Sequence, residues 1–302
     1  MDTTYHIPVM LQQCIEGLNI KPDGVYADVT FGGGGHSRAI LKQLGDNGKL
    51  YAFDRDACSK CNLIKDSRFT FIEDNYSNLK SNLHMYREIK IDGILADLGV
   101  SSYQIDEPLR GFSTRFDGTL DLRMDTKQAF SALNLVNEYA EEALVRVFKD
   151  YGELKNAHRI ASSIIRQREI KPLETTFELK NTLRHLTPER TENKFYAMVF
   201  QALRIEVNNE LDSLRSMLLQ TLECLKEGGR LVVLSYHSLE DRLVKNFLRS
   251  GNLEGEEEKD FFGNKLTPFE VITRKPVTAS DEEVEQNPRA RSAKLRIGQK
   301  RQ

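Results

Sequence analysis

The sequence lacks the features that would place the protein in a membrane or outside the cell. No apolar run among its 302 residues approaches the roughly 20 residues that a membrane-spanning helix needs. Its first ten residues, MDTTYHIPVM, contain neither the basic start nor the apolar core of a signal peptide. We therefore expect a cytoplasmic protein with no membrane partner.

Cysteine is scarce, which excludes a disulfide framework and argues against a metal site. The four cysteines fit a compartment in which thiols stay reduced. Cys58 and Cys61 form a C-x-x-C in a predicted helix from Ala57 to Ile64, but Cys14 and Cys224 supply no second pair. Because a structural zinc site needs four ligands, packing is the favoured role of these thiols, and we expect no metal.

The chain also lacks a strong net charge. Its 43 Lys and Arg nearly balance 45 Asp and Glu, which leaves a net charge of −2. Any contact with nucleic acid must therefore come from a local patch. The segment from Lys155 to Arg204 is one candidate, since it holds ten Lys and Arg against five Glu. A solvated helical surface would show the same excess, so charge alone leaves both interpretations open.

Glycine, in contrast, is concentrated in the stretch GVYADVTFGGGGHS, residues 24–37. A predicted buried strand ends here in four glycines, Gly32 to Gly35, and a helical pattern follows at once. Strand, glycine turn and helix bring a nucleotide-like ligand against backbone N–H groups at a helix N-terminus. Glycine is required because a side chain would block that approach and because tight turns often need positive φ. The alternative is a glycine-rich turn without a ligand.

The spacing of these glycines favours one ligand class. A dinucleotide fingerprint needs a third glycine where Ser37 stands. An acid followed after three residues by G-x-G fits better, with Asp28, Gly32 and Gly34. This arrangement resembles the first motif of S-adenosylmethionine-dependent methyltransferases of the Rossmann-like class.

Acidic residues also end the next predicted strands. Asp54 ends the strand KLYAFDRD, where a carboxylate can accept hydrogen bonds from both hydroxyls of a ribose. NAD and S-adenosylmethionine both carry a ribose, so Asp54 does not choose between them. Asp97 follows the strand Ile91 to Ala96. Because the carboxyl ends of parallel strands share one crevice, we expect Asp28, Asp54 and Asp97 to converge, although each could be an ordinary strand-end acid.

Two further side chains follow predicted strands. Tyr76 comes after the strand RFTFIED, where it could stack on an adenine or simply belong to the core. His237 follows the strand Arg230 to Ser235 and so lies at the same crevice. A lone histidine is more often a structural hydrogen-bonding group than a catalyst. The strand-end position keeps His237 a candidate.

Residues 107–125 interrupt the alternation of strands and helices. A loop this long without periodicity is usually functional or disordered. It interleaves Arg110, Arg115 and Arg123 with Phe112 and Phe116. Such a surface could stack bases and pair with phosphates, and a disordered lid is the alternative.

The middle of the chain reads as helices with no convincing strand between Ser131 and about Arg204. Thr175 to Glu178 forms a predicted capping box. A long helix from Lys194 to Leu225 would return the chain and end at Glu227-Gly228-Gly229. A helical block between two strand-rich halves predicts an inserted domain.

The strand-rich pattern then resumes to the end of the chain. Ser238 and Asp241 are placed to cap a helix, and two last strands, PFEVITRK and SAKLRIG, would complete the sheet. Between these strands, the segment NPRAR contributes Arg289 and Arg291, as a polar turn or a further RNA contact. No nucleophile elbow is present, which argues against hydrolysis by a catalytic triad.

Several blocks together resemble one family: HIPVML, DVTFGGGGHS, AFDRD, DGILADLGVSS, RGFS, DLRMD, FQALRIEVNNEL, GGRLVVLSYHSLEDR and NPRARSAKLR. They are similar to the ribosomal RNA small subunit methyltransferase H family, the cytosine-N4 methyltransferases of 16S rRNA. The resemblance covers almost the whole chain. It implies a Rossmann-like α/β catalytic domain, residues 1–106 and 208–302, and an inserted helical RNA-recognition domain with its loop, residues 107–207.

The resemblance also implies a cofactor, a substrate and a partner. The cofactor would be S-adenosylmethionine, and the substrate a single cytidine in the decoding region of 16S rRNA within the small ribosomal subunit. Oligomeric state and the assembly state of the substrate stay open. By similarity, the cofactor contacts fall on Gly34, Gly35, His36, Asp54, Tyr76, Asp97 and Gln104.

The chemistry of the cytosine N4 amine suggests further roles. Its lone pair is delocalised into the ring, so an acceptor for an N4 hydrogen would help methyl transfer. Enzymes that methylate amines of DNA carry an Asn/Asp/Ser-Pro-Pro-aromatic motif, whereas residues 97–102 read DLGVSS without proline. We hypothesise that Asp97 or a nearby carbonyl accepts from N4 while His237 and Ser235 hold the base. The candidate RNA contacts are Arg110, Phe112, Arg115, Arg123, Arg204, Arg289 and Arg291.

Two other functions share part of this pattern. A nicotinamide-dependent dehydrogenase would keep the glycine loop and Asp54 but lacks the third fingerprint glycine. A non-catalytic RNA-binding assembly factor would keep the basic insertion and tolerate loss of the loop glycines, which are intact. Neither explains the family blocks.

Overall fold

The computed structural model describes residues 8–263 and 266–302, so the first two residues of the HIPVML block lie outside the described part. The chain forms two compact units. The first comprises Met1–Gly99 with Leu211–Gln302, and the second comprises Val100–Glu210. The boundaries expected from the sequence, after residues 106 and 207, lie seven and three residues from this division. The catalytic and RNA-recognition roles of the two units stay predictions.

The first unit is built on a seven-stranded sheet in the order β3-β2-β1-β4-β5-β7-β6. Its strands are β1 Val25–Asp28, β2 Lys49–Phe53, β3 Phe69–Ile72, β4 Ile91–Asp97, β5 Leu225–Ser235, β6 Phe269–Val271 and β7 Lys294–Lys300. Its helices are α1 Leu11–Leu18, α2 Gly35–Gln43, α3 Leu79–Met85, α11 Ser238–Ser250 and α12 Asp281–Gln286, with most of α10 Glu210–Cys224.

The strand directions create a ligand crevice. Strands β1 to β5 pair in parallel, and β7 runs antiparallel to both β5 and β6. The strand order reverses at β1, since β2 lies on one side of it and β4 on the other. In open α/β sheets, ligands bind beyond the carboxyl ends of strands at such a reversal. The predicted Rossmann-like α/β fold is confirmed.

Helices cover both faces of the sheet, which explains why its strands are nearly continuous apolar runs. Successive side chains of a strand point to opposite faces. Tyr26 and Leu95 pack with α1 and α2, whereas their neighbours Ala27 and Ile94 pack with α3, α10 and α11. All four side chains are buried.

The second unit is helical and has its own core. Its helices are α4 Ser102–Asp106, α5 Ala132–Glu138, α6 Glu141–Asp150, α7 Ala157–Ile170, α8 Thr176–Leu183 and α9 Glu192–Asn208. Buried side chains from α5 to α9 form one apolar cluster. The predicted capping box is present, because Thr175 accepts from the Glu178 N–H at the start of α8. None of the helices in the described ranges combines the length and apolar character needed to cross a membrane.

The predicted long helix from Lys194 to Leu225 is wrong. Asn209 adopts left-handed backbone (φ 48°) and closes α9, and α10 starts at the next residue. The expected helix end at residues 227–229 is also wrong, since α10 ends at Cys224 and β5 begins directly after it. Gly228, with φ 75°, instead lies within β5. Asparagine tolerates the left-handed region better than most residues, a signal that the helical periodicity concealed.

The segment that carries the C-x-x-C is shorter and tighter than predicted. It forms a 3-10 helix, Ala57–Asn62, rather than a regular helix to Ile64. The Asp56 side chain caps it by accepting from the Cys58 N–H. Cys58 and Cys61 are free thiols.

Candidate active site

The glycine turn after β1 is open to a ligand at one position and packed against the protein at another. Gly34 has φ 73° and so needs a residue without a Cβ. A Cβ on Gly35 would lie 2.1 Å from Pro8 Cγ, whereas a Cβ on Gly33 would meet no atom within 4 Å. The turn is therefore tight at Gly35 and open at Gly33. That opening fits a ligand approaching the backbone.

Hydrogen bonds connect this turn to the ends of two strands. Asp28 at the end of β1 accepts from Ser37 Oγ at 2.6 Å and from the Thr30 N–H at 3.2 Å. Thr30 Oγ1 in turn accepts from the Asp97 N–H at 2.7 Å. Burial raises the pKa of Asp28 above its usual value. The buried Asp28 side chain thus holds the turn in place through these hydrogen bonds. It is not accessible to a ligand.

Asp54 stands beside the same turn. Its Oδ2 accepts from the Gly32 N–H at 2.8 Å, and its Oδ1 accepts from the Asp56 N–H at 2.8 Å. Burial raises the pKa of Asp54 to about 6. A carboxylate has about four acceptor positions, and these two bonds occupy one on each oxygen. Each oxygen keeps a position for a ribose hydroxyl.

Asp97 ends β4 on the other side of the crevice. Its Oδ1 accepts from the Tyr236 hydroxyl at 2.6 Å, and its Oδ2 lies 3.8 Å from His36 Nδ1. His36 Nε2 lies 3.2 Å from the Val9 carbonyl, which can only accept, so Nε2 carries the hydrogen and Nδ1 faces the carboxylate. Burial raises the pKa of Asp97 to about 7, and the Tyr236 hydrogen bond opposes that rise.

Tyr236 is a site residue that the sequence analysis missed. It directly follows β5, so the strand-end rule that selected His237 applied to it equally. Burial and the neighbouring Asp97 raise the pKa of the Tyr236 hydroxyl well above its usual value. Tyr236 therefore stays protonated and acts as a donor to Asp97.

His237 and Ser235 are held by structural contacts. His237, rather than the predicted Ser238 with Asp241, caps α11: its Nδ1 accepts from the Glu240 N–H at 3.4 Å. Its Nε2 lies 3.2 Å from Glu240 Oε1. Ser235 is buried, and its hydroxyl donates to the Lys294 carbonyl at 3.4 Å. Their proposed role in holding the base stays a prediction.

Two other candidates for the cofactor contact have local roles. Tyr76 opens a 3-10 helix that Asn75 caps, and its half-buried ring packs against the core of the first unit. Gln104 belongs to the second unit and is buried. Its Oε1 accepts from the Ser101 N–H at 3.0 Å, which completes the capping box of α4.

Three arginines predicted to bind RNA are used within the second unit. Arg110 is buried and donates to the Arg123 carbonyl at 2.8 Å. Arg123 pairs with both oxygens of Asp121, at 2.6 and 3.0 Å. Arg204 does the same with buried Glu210, at 2.8 and 3.0 Å. These guanidinium groups support the fold of this unit.

Other predicted RNA contacts are accessible. Arg115 is exposed, and the neighbouring Phe116 exposes 53% of its surface. Phe112 is half-buried, with the Arg110 guanidinium 5.9 Å from its ring centroid. In the first unit, a 3-10 helix carries Arg289, half-buried, and Arg291, exposed.

Comparison with known proteins identifies the family. A family model described as the MraW methylase family matches residues 3–301. The chain belongs to this family. A protein of Parabacteroides distasonis named ribosomal RNA small subunit methyltransferase H is 55% identical over 300 residues, 99% of this chain and 98% of that one. A Flavobacterium johnsoniae protein of the same name is 55% identical over 302 residues, 99% of this chain and all of that one.

Family membership confirms the resemblance seen in the sequence. The chain is therefore a methyltransferase, and S-adenosylmethionine is its methyl donor. The dehydrogenase interpretation is thereby excluded. The first unit fits this cofactor, because the turn is open at Gly33, Asp54 keeps acceptor positions for a ribose, and Asp97 offers a carboxylate across the crevice.

Proposed function

We propose that this protein methylates the exocyclic N4 amine of a cytidine in the decoding region of 16S rRNA. The small ribosomal subunit, in the cytoplasm, would be the substrate. The relatives named ribosomal RNA small subunit methyltransferase H support the RNA class. One structural observation carries the chemistry: the Asp97 carboxylate lies at the reversal of strand order with its pKa raised to about 7.

The first unit would hold the methyl donor through its own strand-end residues. The residues proposed for this are the turn glycines with His36, the Asp54 carboxylate and the Tyr76 ring. When bound, S-adenosylmethionine supplies a sulfonium-activated methyl group, so the protein mainly needs to align the reactants. Gln104 stays a proposed contact by resemblance only.

Asp97 would accept a hydrogen of the N4 amine. As the nitrogen attacks the methyl group, the carboxylate would take up one N4 proton, and the electrons of that N–H bond would remain on the nitrogen and restore its lone pair. Only the ionised carboxylate can take up this proton, and the Tyr236 hydroxyl favours that form by donating to it at 2.6 Å. His36, 3.8 Å from the other oxygen, leaves that oxygen without a strong donor. Asp97 thus keeps an oxygen available to the base.

The second unit would recognise the RNA. A base that is methylated on its pairing edge must leave its stack, and an exposed aromatic ring beside an arginine can hold unstacked bases. Phe116 and Arg115 form such an exposed pair in the loop of residues 107–125. Arg289 and Arg291 are proposed as further contacts from the first unit.

The deciding experiment measures methyl transfer from labelled S-adenosylmethionine to 30S subunits and to naked 16S rRNA, followed by nucleoside mass spectrometry. N4-methylcytidine is the expected product, and the preferred RNA would show which assembly state is read. Cofactor binding without transfer to either RNA would keep the methyltransferase but overturn this substrate, whereas no cofactor binding at all would favour the assembly-factor function.

A single substitution tests the role of Asp97. Asp97→Asn removes the charge but keeps the shape, and we expect methyl transfer to fall at least 100-fold, the usual scale for general base catalysis. Cofactor affinity, measured by calorimetry, separates the two roles of this residue. Unchanged affinity with lost transfer supports the proton acceptor, whereas an equal loss of affinity would make Asp97 a cofactor ligand only.

A further inference from the structure

The second unit carries a basic surface pocket that no part of the proposed function uses. It is a cavity of about 530 Å³ between α6, α7 and the 3-10 helix Arg184–Leu186. Its charged and polar lining comprises Glu141, His158, Arg159, Ser162, Ser163, Arg166 and His185.

Helix periodicity places the two arginines on the outer face of α7. Ile160 and Ile164 are buried in the core of the unit. Arg159 and Arg166 are seven residues apart, and Ser162 lies between them, so the three share the opposite face. Both arginines are exposed.

These arginines differ from the three that support the fold. Within residues 8–263 and 266–302, the Arg159 guanidinium forms no hydrogen bond or ion pair with another side chain. In the same ranges, the Glu141 carboxylate forms no ion pair. Arg166 bonds only its own helix, to the Ser162 carbonyl at 3.4 Å and to Ser162 Oγ at 3.3 Å. The pocket thus presents two guanidinium groups that form no ion pair with a carboxylate of the described chain, and the single carboxylate of its lining, Glu141, leaves a net positive charge.

A histidine is also held at the pocket. The Ser163 hydroxyl donates to the Arg159 carbonyl at 2.8 Å, so it must accept from His185 Nε2, 3.3 Å away. This bond fixes the ring and leaves Nδ1 for another partner. A concave site with two guanidinium groups, a hydroxyl and imidazoles suits a tetrahedral oxyanion, since arginine matches phosphate oxygens with paired donors.

We propose that the Arg159–Arg166 pocket binds a backbone phosphate of the RNA substrate. The assignment rests on the proposed function for the presence of RNA, and adds where the helical unit holds it. Phosphate contacts set the position and orientation of the nucleic acid without reading its sequence. The pocket would therefore contribute affinity and placement, and leave the choice of the methylated base to the crevice of the first unit.

The double variant Arg159→Gln/Arg166→Gln tests the pocket in the full-length protein. Its matched control is Lys149→Gln/Lys194→Gln, which removes the same charge from exposed positions of the same unit. We expect the arginine variant to bind 16S rRNA on the order of 10-fold more weakly at 0.1 M salt. The slope of log affinity against log salt should also become shallower by about 1.4, the value for two lost contacts to single strands. The control should change little.

Several results would overturn the assignment. Equal losses in both double variants would mean that RNA responds to overall charge and not to this pocket. Inorganic phosphate bound by the wild type, with no loss of RNA affinity in the arginine variant, would make the pocket a small-anion site. Calorimetric cofactor affinity should be unchanged in every variant. If the wild-type protein neither bound nor methylated RNA, the proposed function would fail, whereas a normal wild type with an unaffected arginine variant rejects only the pocket.

Discussion

The two units use charged residues in opposite ways. In the first, the acids at strand ends gather around one glycine turn, and Asp54 and Asp97 keep positions for further hydrogen bonds. In the second, the arginines that sequence pattern selected are mostly occupied, with Arg204 bound to Glu210 and Arg123 to Asp121. The charges of the first unit serve a site, and many of those of the second serve its fold.

The difference shows which kinds of sequence signal predict function. A strand-end acid is placed by topology, because parallel strands share one carboxyl edge. The role of a guanidinium depends on whether a carboxylate or carbonyl happens to lie within reach in three dimensions. A count of arginines therefore does not show how many guanidinium groups are accessible, which depends on their burial and their pairing with other side chains.

The largest expected effect tests the structural arginines. Arg204→Ala would leave Glu210, whose side chain is only 4% exposed, without its paired guanidinium. Removing one partner of a buried ion pair typically costs about 3–5 kcal/mol of unfolding free energy. Arg115→Ala, at an exposed position of the same unit, should cost no more than about 0.5 kcal/mol. Denaturant unfolding followed by circular dichroism measures both, and equal values would remove the contrast between fold-supporting and accessible arginines.

A smaller effect tests the glycine turn of the first unit. Gly35→Ala would place a Cβ 2.1 Å from Pro8 Cγ, and overpacking of this kind costs about 1–3 kcal/mol. Gly33→Ala meets no atom within 4 Å, so its unfolding free energy should match that of the wild type. Thermal and denaturant unfolding of both variants make the comparison. Similar losses in the two would show that the turn is equally constrained along its length.

The smallest effect concerns the pH dependence of methyl transfer. Burial raises the pKa of Asp97 to about 7, so its carboxyl is neutral below that pH and ionised above it, and transfer should rise with pH through 7. Tyr236→Phe removes a donor that favours the ionised form, so the midpoint should move to higher pH by about one unit. Rates at saturating cofactor between pH 6 and 9 measure the shift. A uniform loss of rate with an unmoved midpoint would give Tyr236 only a packing role.

Much of the fold followed from local pattern. Strands β1, β2 and β4 were predicted because the buried parallel sheet makes them apolar runs with acidic or glycine ends. The long helix failed at Asn209, whose left-handed backbone interrupts an otherwise continuous helical pattern. The start of α11 was predicted one residue late, because histidine is an uncommon helix cap and Ser238 offered a familiar one.

The candidate site was only partly predictable. Asp54 and Asp97 were found by their place in the strand order, but the hydrogen bond between Tyr236 and Asp97 joins residues 139 positions apart. Likewise, Arg159 and Arg166 stood among ten Lys and Arg with nothing in the sequence to separate them. Only the packing of α7 shows that these two share one concave face.

The placement of the helical unit between β4 and β5 has a consequence for how the chain folds. These strands pair in the finished sheet, yet β4 ends at Asp97 and β5 begins at Leu225. During synthesis at about 5–20 residues per second, β4 would wait on the order of 10 s for its partner. Until then, the unpaired backbone N–H and C=O groups of this apolar strand are exposed and could pair with a strand of another chain. The helical unit, whose contacts are local, would fold in that interval and shorten the loop that β5 must close.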